Sequence, residues 1–162
     1  MLIHDLAVRP EPPESESARA ILRAYLDDVV SRFHGRCLTA DELEAAERDF
    51  ANDDLVPPRG VLLVAWLHDC PVGCAGLRFG QAKTGEVARV FVDGQHRRRG
   101  IARALMTELE SHARRRGLRR LRLDTRHDLI EARELYASLG FLEVAPFNDG
   151  PYAEHWFEQI LS

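Results

Sequence analysis

Between Glu86 and Arg116 a strand-like run passes into a long amphipathic helix through a turn carrying three consecutive arginines and a glycine. The run Glu86 to Val92, EVARVFV, alternates and then becomes wholly apolar, as a buried strand does. Gly100 to Arg116 puts Ile101, Leu105, Met106, Leu109 and Ala113 on one helical face and stops at Gly117. The link between them is Asp93-Gly94-Gln95-His96-Arg97-Arg98-Arg99. So short a connection brings the helix N-terminus to the end of the strand, where free N–H groups and the helix dipole favour an anion such as a pyrophosphate. Gly100 and Ala102 carry no side chain larger than methyl, which lets a ligand approach that backbone. The competing reading is a solvated basic loop in which Gly100 merely opens a helix.

The rest of the chain supplies elements of ordinary length. Ala18, Ile21, Leu22, Tyr25, Leu26 and Val29 recur at helical spacing within Ser15 to Val30. Thr39 followed by Glu42 forms a capping-box pattern, and Leu43, Ala46 and Phe50 continue a second helix towards Asn52. Pro57, Pro58 and Gly60 then punctuate the chain before the strand Val61 to Leu67, and Cys70-Pro71 turns it into a return strand, Val72 to Phe79. Beyond the long helix, Leu118 to Thr125 alternates leucines with arginines as a strand, Leu129 to Leu139 is helical, and Phe141 to Val144 and His155 to Leu161 are two closing strands. The order is helix, helix, hairpin, strand, helix, strand, helix, strand, strand. No repeat or low-complexity segment breaks it, so 1–162 is expected to be one domain, burying about two-thirds of its unfolded surface.

Composition removes several classes of function. No apolar run approaches the roughly 20 residues of a membrane helix, and the start MLIHDLAVRPEPPESESA carries acids and prolines where a signal peptide needs a basic stretch and a continuous apolar one. A cytoplasmic protein is expected. Three cysteines, Cys37, Cys70 and Cys74, do not make a disulfide framework. His68, Cys70 and Cys74 are too few for a tetrahedral metal set, so no metal is expected. Arg97 to Arg99, Arg114 to Arg116 and Arg119-Arg120-Arg122 suggest nucleic acid, but a net charge of −4 and the lack of interleaved aromatics weigh against it.

Arg97, Gly100 and Ala102 match an Arg/Gln-x-x-Gly-x-Gly/Ala pattern, and downstream stands Leu135-Tyr136-Ala137-Ser138-Leu139-Gly140-Phe141. With the strand before them and the spacing between them, these residues resemble the GNAT superfamily of acetyl-CoA-dependent N-acetyltransferases from about Val61 to Phe141, roughly half the chain. The resemblance implies an α/β (mixed α+β) GNAT-like fold: a central mixed, twisted sheet of about six to seven strands flanked by about four helices and splayed at the cofactor strand. It implies that backbone groups of Val90, Phe91 and Val92 bind the pantetheine arm of acetyl-CoA, and that main-chain N–H groups of Arg98, Arg99, Gly100, Ile101 and Ala102 hold the pyrophosphate with Arg97 nearby. Where many relatives carry a pantetheine-binding Asn, this chain has Leu129.

Acetyl transfer to an amine needs a neutral nucleophile, a polarised carbonyl and a proton for the departing thiolate. By resemblance, Glu86 at the start of the cofactor strand is the candidate base, directly or through water; otherwise it is an edge carboxylate paired with Arg89. Tyr136 is the candidate acid at the coenzyme sulfur, since a phenol is protonated at neutral pH, and otherwise a core aromatic. The Val92 N–H is the candidate oxyanion donor. Cys74 reads as buried filler, which favours direct transfer to a primary amine without an acetyl-enzyme. Family variability places the acceptor, expected to be a small molecule, between Tyr25, Arg32, Phe33, His34 and Arg36 on one side and Phe147, Asn148, Asp149, Tyr152 and His155 on the other, with His127 nearby. Arg32 and Arg36 either bind an acceptor carboxylate or simply complement the helix dipole. A domain that binds acetyl-CoA without transferring is the alternative function, and relatives often dimerise, which admits a homodimer.

Overall fold

The computed structural model describes residues 5–162; the first four residues of the amino-terminal stretch read above lie outside it. Seven strands form one sheet in the order β1 (Leu6–Pro10), β2 (Gly60–Leu67), β3 (Cys70–Phe79), β4 (Thr84–Val92), β5 (Arg120–Thr125), β7 (His155–Ile160), β6 (Leu142–Val144). Every neighbouring pair is antiparallel except β4 and β5. That parallel pair needs a crossover, which helix α3 (Ile101–Arg115) provides.

The strand missing from the sequence reading is β1, which pairs Leu6 to Pro10 with Leu67 to Leu63. It is a half-exposed edge strand ending in proline, so it lacks the apolar alternation that marks the others. The expected helices are present as α1 (Glu16–His34), α2 (Ala40–Asp49), α3 and α4 (Ile130–Ser138), and α1 runs one turn beyond the expected Val30. Ser15 caps α1 by accepting from the Ala18 N–H, and Thr39 and Glu42 close the capping box of α2.

Two cores lie on opposite faces of the sheet. On one, Ile101, Leu105 and Leu109 of α3 are fully buried against Leu63, Val72 and Leu77, joined by Tyr136 and Phe141. On the other, Ala18, Ile21 and Leu22 of α1 cover Leu62, Val64, Cys74 and Phe91. Burial of each large α3 side chain contributes about 1.5–3 kcal/mol relative to exposure. The start of α3 is thereby anchored to the end of β4. Among the described residues no helix is long and apolar enough to cross a membrane.

Candidate active site

The site begins with a parting of strands. β4 and β5 pair only from Thr84–Arg120 to Glu86–Arg122. Beyond that each keeps its outer partner, β4 as far as Val92 opposite Gly73 and β5 as far as Thr125 opposite His155, but the two leave each other. The cause is local to β4. Between Cys74 and Gly76 strand β3 advances two residues while β4 advances three, from Phe91 to Ala88, and Arg89 takes the left-handed conformation at φ 59°. Such a bulge bends its strand and increases its twist. The buried Cys74 thiol donates to the Arg89 carbonyl at 3.1 Å and so holds the bulge in place.

The Asp93 N–H donates to the Val72 carbonyl, so alternation along the strand turns the peptide groups of Val92 the other way, into the opening. There the Val92 carbonyl accepts from Arg97 Nε at 3.2 Å. The opening is a cavity of about 970 Å³. Val90, Phe91, Val92, Arg97, Arg98, Gly100, Ile101, Ala102, Glu86 and Tyr136 all border it; Arg99, also expected there, does not.

At the mouth lies the N-terminus of α3, and it differs from those of α1 and α2. Its N-cap is Gly100 at φ 81°, no side chain caps it, and its first turn has no acidic residue. Arg98, two residues earlier, is also left-handed at φ 64°. Alternation of this kind folds successive N–H groups towards one concavity. Four arginines flank it, yet Arg97 is turned inward, held by the Val92 carbonyl and by Asp28 of α1 at 3.4 Å. The groups offered to an anion are therefore main-chain N–H groups with Arg98 and Arg103 beside them.

Glu86 stands where β4 and β5 part. Its Oε1 accepts from Arg78 at 3.2 Å, and Arg78 is held in turn by Asp54 at 2.6 Å. The alternative reading of Glu86, a pairing with Arg89, is not met among the described residues: the bulge carries Arg89 towards Asn52, to whose side chain it donates at 2.9 Å. Tyr136 is buried on α4 between Phe141 and Phe157, with ring centroids 5.8 and 6.0 Å away. Burial pushes its phenol well above the usual value, with the nearby Tyr25 and Asp124 adding to the rise, so it remains protonated across the neutral range. Burial also pushes the Cys74 thiol up, to about 12, which leaves no thiolate at neutral pH.

Of the residues expected around an acceptor, Tyr25, Arg32, Phe33 and His34 of α1 and Tyr152 border the cavity, whereas Arg36, Phe147, Asn148, Asp149 and His155 do not. Arg36 instead makes a two-pronged pair with Glu42 at 2.9 and 2.8 Å, and that hydrogen bonding lowers the Glu42 carboxyl to about 2. Arg32 is taken by Glu131 and by the Asp128 carbonyl. Phe147 packs under Arg122, and Asn148 bridges Asp124 and the Trp156 indole. His127 stacks on His155, which bonds Glu143, away from the cavity. Leu129 borders the cavity at the N-cap of α4 without capping it.

Sequence reasoning missed a clasp beside the site. Arg126, only 8% exposed, forks onto Asp128 at 2.9 and 2.8 Å and donates to the Val29 carbonyl at 2.6 Å, tying α1 to the end of β5. An arginine after a strand gives no sequence signal for this, since its partner carbonyl lies on a helix 97 residues away.

Residues 27–141 match the model of the acetyltransferase (GNAT) family, which spans the splayed strands, the uncapped helix and Tyr136. Among curated proteins, the uncharacterised N-acetyltransferase YsnE of Bacillus subtilis is 33% identical over 87 residues, 52% of this chain and 58% of YsnE. Human N-acetyltransferase 8 is 41% identical over 56 residues, 35% of this chain and 25% of that protein. The fold is shared with the PaiA N-acetyltransferase of Thermoplasma acidophilum, solved in complex with coenzyme A, at a TM-score of 0.74 and 15% identity over 96% of this chain and 98% of the other. A GNAT-family acetyltransferase of Staphylococcus aureus gives a TM-score of 0.74 at 18% identity over 97% and 99% of the two chains. The chain thus belongs to the acetyltransferase (GNAT) family.

Proposed function

We propose that this chain, acting as one domain, is an acetyl-CoA-dependent N-acetyltransferase that passes the acetyl group directly to a primary amine of a small molecule. The observation that carries the reading is the uncapped N-terminus of α3 at the mouth of the β4–β5 opening. Helices α1 and α2 have side-chain caps and α4, though uncapped, carries Glu131 in its first turn; among the described α-helices α3 alone presents bare N–H groups and no acid. A pyrophosphate supplies the missing acceptors and the negative charge that the dipole favours. The exposed peptide edge of Val90 to Val92 suits the amides of a pantetheine arm, as an added strand would pair.

Acetyl-CoA supplies an acyl group already activated as a thioester. The chain's own residues do the rest. The Val92 N–H, turned into the opening, meets the carbonyl oxygen as charge develops on it. Glu86, with Oε1 held by Arg78, takes the proton from the acceptor amine directly or through water. The amine nitrogen bonds to the carbonyl carbon, the carbon–sulfur bond breaks, and the Tyr136 hydroxyl gives its proton to the departing sulfur. Cys74 cannot carry the acetyl group, being buried, protonated and committed to the Arg89 carbonyl.

Calorimetry with coenzyme A, followed by a screen of amine acceptors read by thiol release, tests the reading. Binding of coenzyme A and release of its thiol dependent on one amine class support it. Binding without release for any amine favours a domain that only senses acetyl-CoA, and absence of binding refutes the site.

A further inference from the structure

We infer that the acceptor carries a carboxylate beside an apolar body, and that Arg89 binds that carboxylate. The inference rests on the acyl-CoA reading of the cavity and names the substrate class of its other half.

The arginines that border the cavity fall into two groups. Arg32, Arg78, Arg97 and Arg126 each have a carboxylate partner: Glu131, Asp54 with Glu86, Asp28 and Asp128 respectively. Arg89, Arg98 and Arg103 have none among the described residues. Arg98 and Arg103 flank the bare N-terminus of α3, where the phosphates of coenzyme A account for them. Arg89 lies on the opposite side of β4, against α1 and the end of α2, where no phosphate is called for.

Its position is built rather than incidental. The left-handed conformation at φ 59° is disfavoured for a residue with a long side chain, and it is this turn that delivers the guanidinium to the acceptor side. Nε donates to Asn52 Oδ1 at 2.9 Å and one terminal nitrogen reaches the Ala51 carbonyl at 3.5 Å. The guanidinium carbon lies 5.8 Å from the Tyr25 ring centre and 5.5 Å from that of Phe50. Neutral partners and ring faces hold the group without neutralising it, which leaves a half-buried cation with donors to spare. A planar guanidinium in that state matches a carboxylate, which it binds through paired hydrogen bonds.

The surroundings give the rest of the acceptor. Phe33, Phe50 and Tyr152 form a chain of rings with centroids 5.3 and 6.3 Å apart, and all three border the cavity. Phe33 is 55% and Tyr152 46% exposed, so their rings are open to an apolar group entering the cavity. Glu86 provides for the amine. An unpaired cation, a ring-lined wall and the carboxylates of Glu86, Asp49 and Asp124, the last two with no cation partner among the described residues, complement both charges of an amino acid with a bulky apolar side chain, whereas a polyamine would meet the Arg89 charge with its own.

The test uses the protein saturated with coenzyme A and titrates N-acetyl-phenylalanine and N-acetyl-phenylalaninamide by calorimetry. They differ only in the carboxylate. Expected is at least tenfold tighter binding of the acid, a preference abolished in Arg89→Gln and partly kept in Arg89→Lys, with coenzyme A affinity unchanged in both. The wild-type comparison stands even if a variant fails to fold. Equal affinity for acid and amide, or no binding of either at millimolar concentration, overturns the inference while leaving the acyl-CoA reading intact. Failure of coenzyme A itself to bind removes that reading, and the inference with it.

Discussion

Replacing Gly100 separates two roles that the same position plays. At φ 81° a residue with a Cβ costs about 1–2 kcal/mol, and asparagine costs less than alanine or a branched residue. A Cβ built there meets no protein atom within 4 Å, so nothing in the chain itself resists the side chain. Gly100 borders the cavity next to the bare N–H groups of Ile101 and Ala102, where the proposed site puts the phosphates. Gly100→Val therefore loses stability through backbone strain, by an amount worth on the order of 2–8 °C in Tm for a chain of this length. Gly100→Asn keeps most of that stability. Both variants lose affinity for coenzyme A by at least tenfold, about 1.4 kcal/mol, because both put side-chain atoms where phosphate oxygens must approach. Thermal melts and calorimetry on the two variants read the two effects separately. If Gly100→Asn binds coenzyme A as tightly as wild type, the phosphates do not sit against Gly100 and the loop assignment is wrong.

Tyr136→Phe removes only the hydroxyl, so coenzyme A affinity stays within about twofold while kcat falls by roughly 10²–10⁴; an unchanged kcat with a good acceptor excludes Tyr136 as the acid. Glu86→Gln should abolish or displace the acidic limb of the kcat/KM profile against pH, and a change confined to the acceptor KM would make Glu86 a positioning residue instead. The Asp128 carboxyl is held below its ordinary value of 3.8, chiefly by hydrogen bonding from Arg126. A carboxyl depressed in the folded state adds stability that is fully present above its unfolded value and is lost as pH falls through the folded one. Tm should therefore drop below pH 3.8, and drop less steeply in Asp128→Asn; parallel slopes for the two proteins would show that the clasp does not couple to folding.

What the sequence made legible followed from local rules. The amphipathic period of α3, the capping box at Thr39 and Glu42, and the apolar strands each express an interaction between residues a few positions apart. The arginine-glycine turn was legible as an anion site because its geometry is that of one helix end. Tyr136 and Glu86 came only from the resemblance, since nothing in their own neighbourhood distinguishes an aromatic in a helix or a carboxylate in a strand. What stayed hidden depends on distant partners. The Cys74 thiol reaches the Arg89 carbonyl across two strands, Arg126 reaches the Val29 carbonyl, and Asn52 intercepts the arginine expected beside Glu86. β1 was hidden for a different reason: half-exposed and ending in Pro10, it owes its existence to the unpaired edge of β2 more than to its own five residues.

The bulge in β4 links these hidden contacts to chemistry. One extra residue between Ala88 and Phe91 is enough to reverse which face each later side chain takes. Without it, Phe91 would leave the α1 core it fills, and the peptide groups of Val92 would face β3 instead of the opening. The same residue turns Arg89 towards Asn52, Tyr25 and Phe50 and away from Glu86. The opening, the candidate oxyanion donor and a cation with no carboxylate partner among the described residues are therefore consequences of a single insertion, held in place by the buried Cys74 thiol. A relative lacking the extra residue would have to lose all three together, not one at a time.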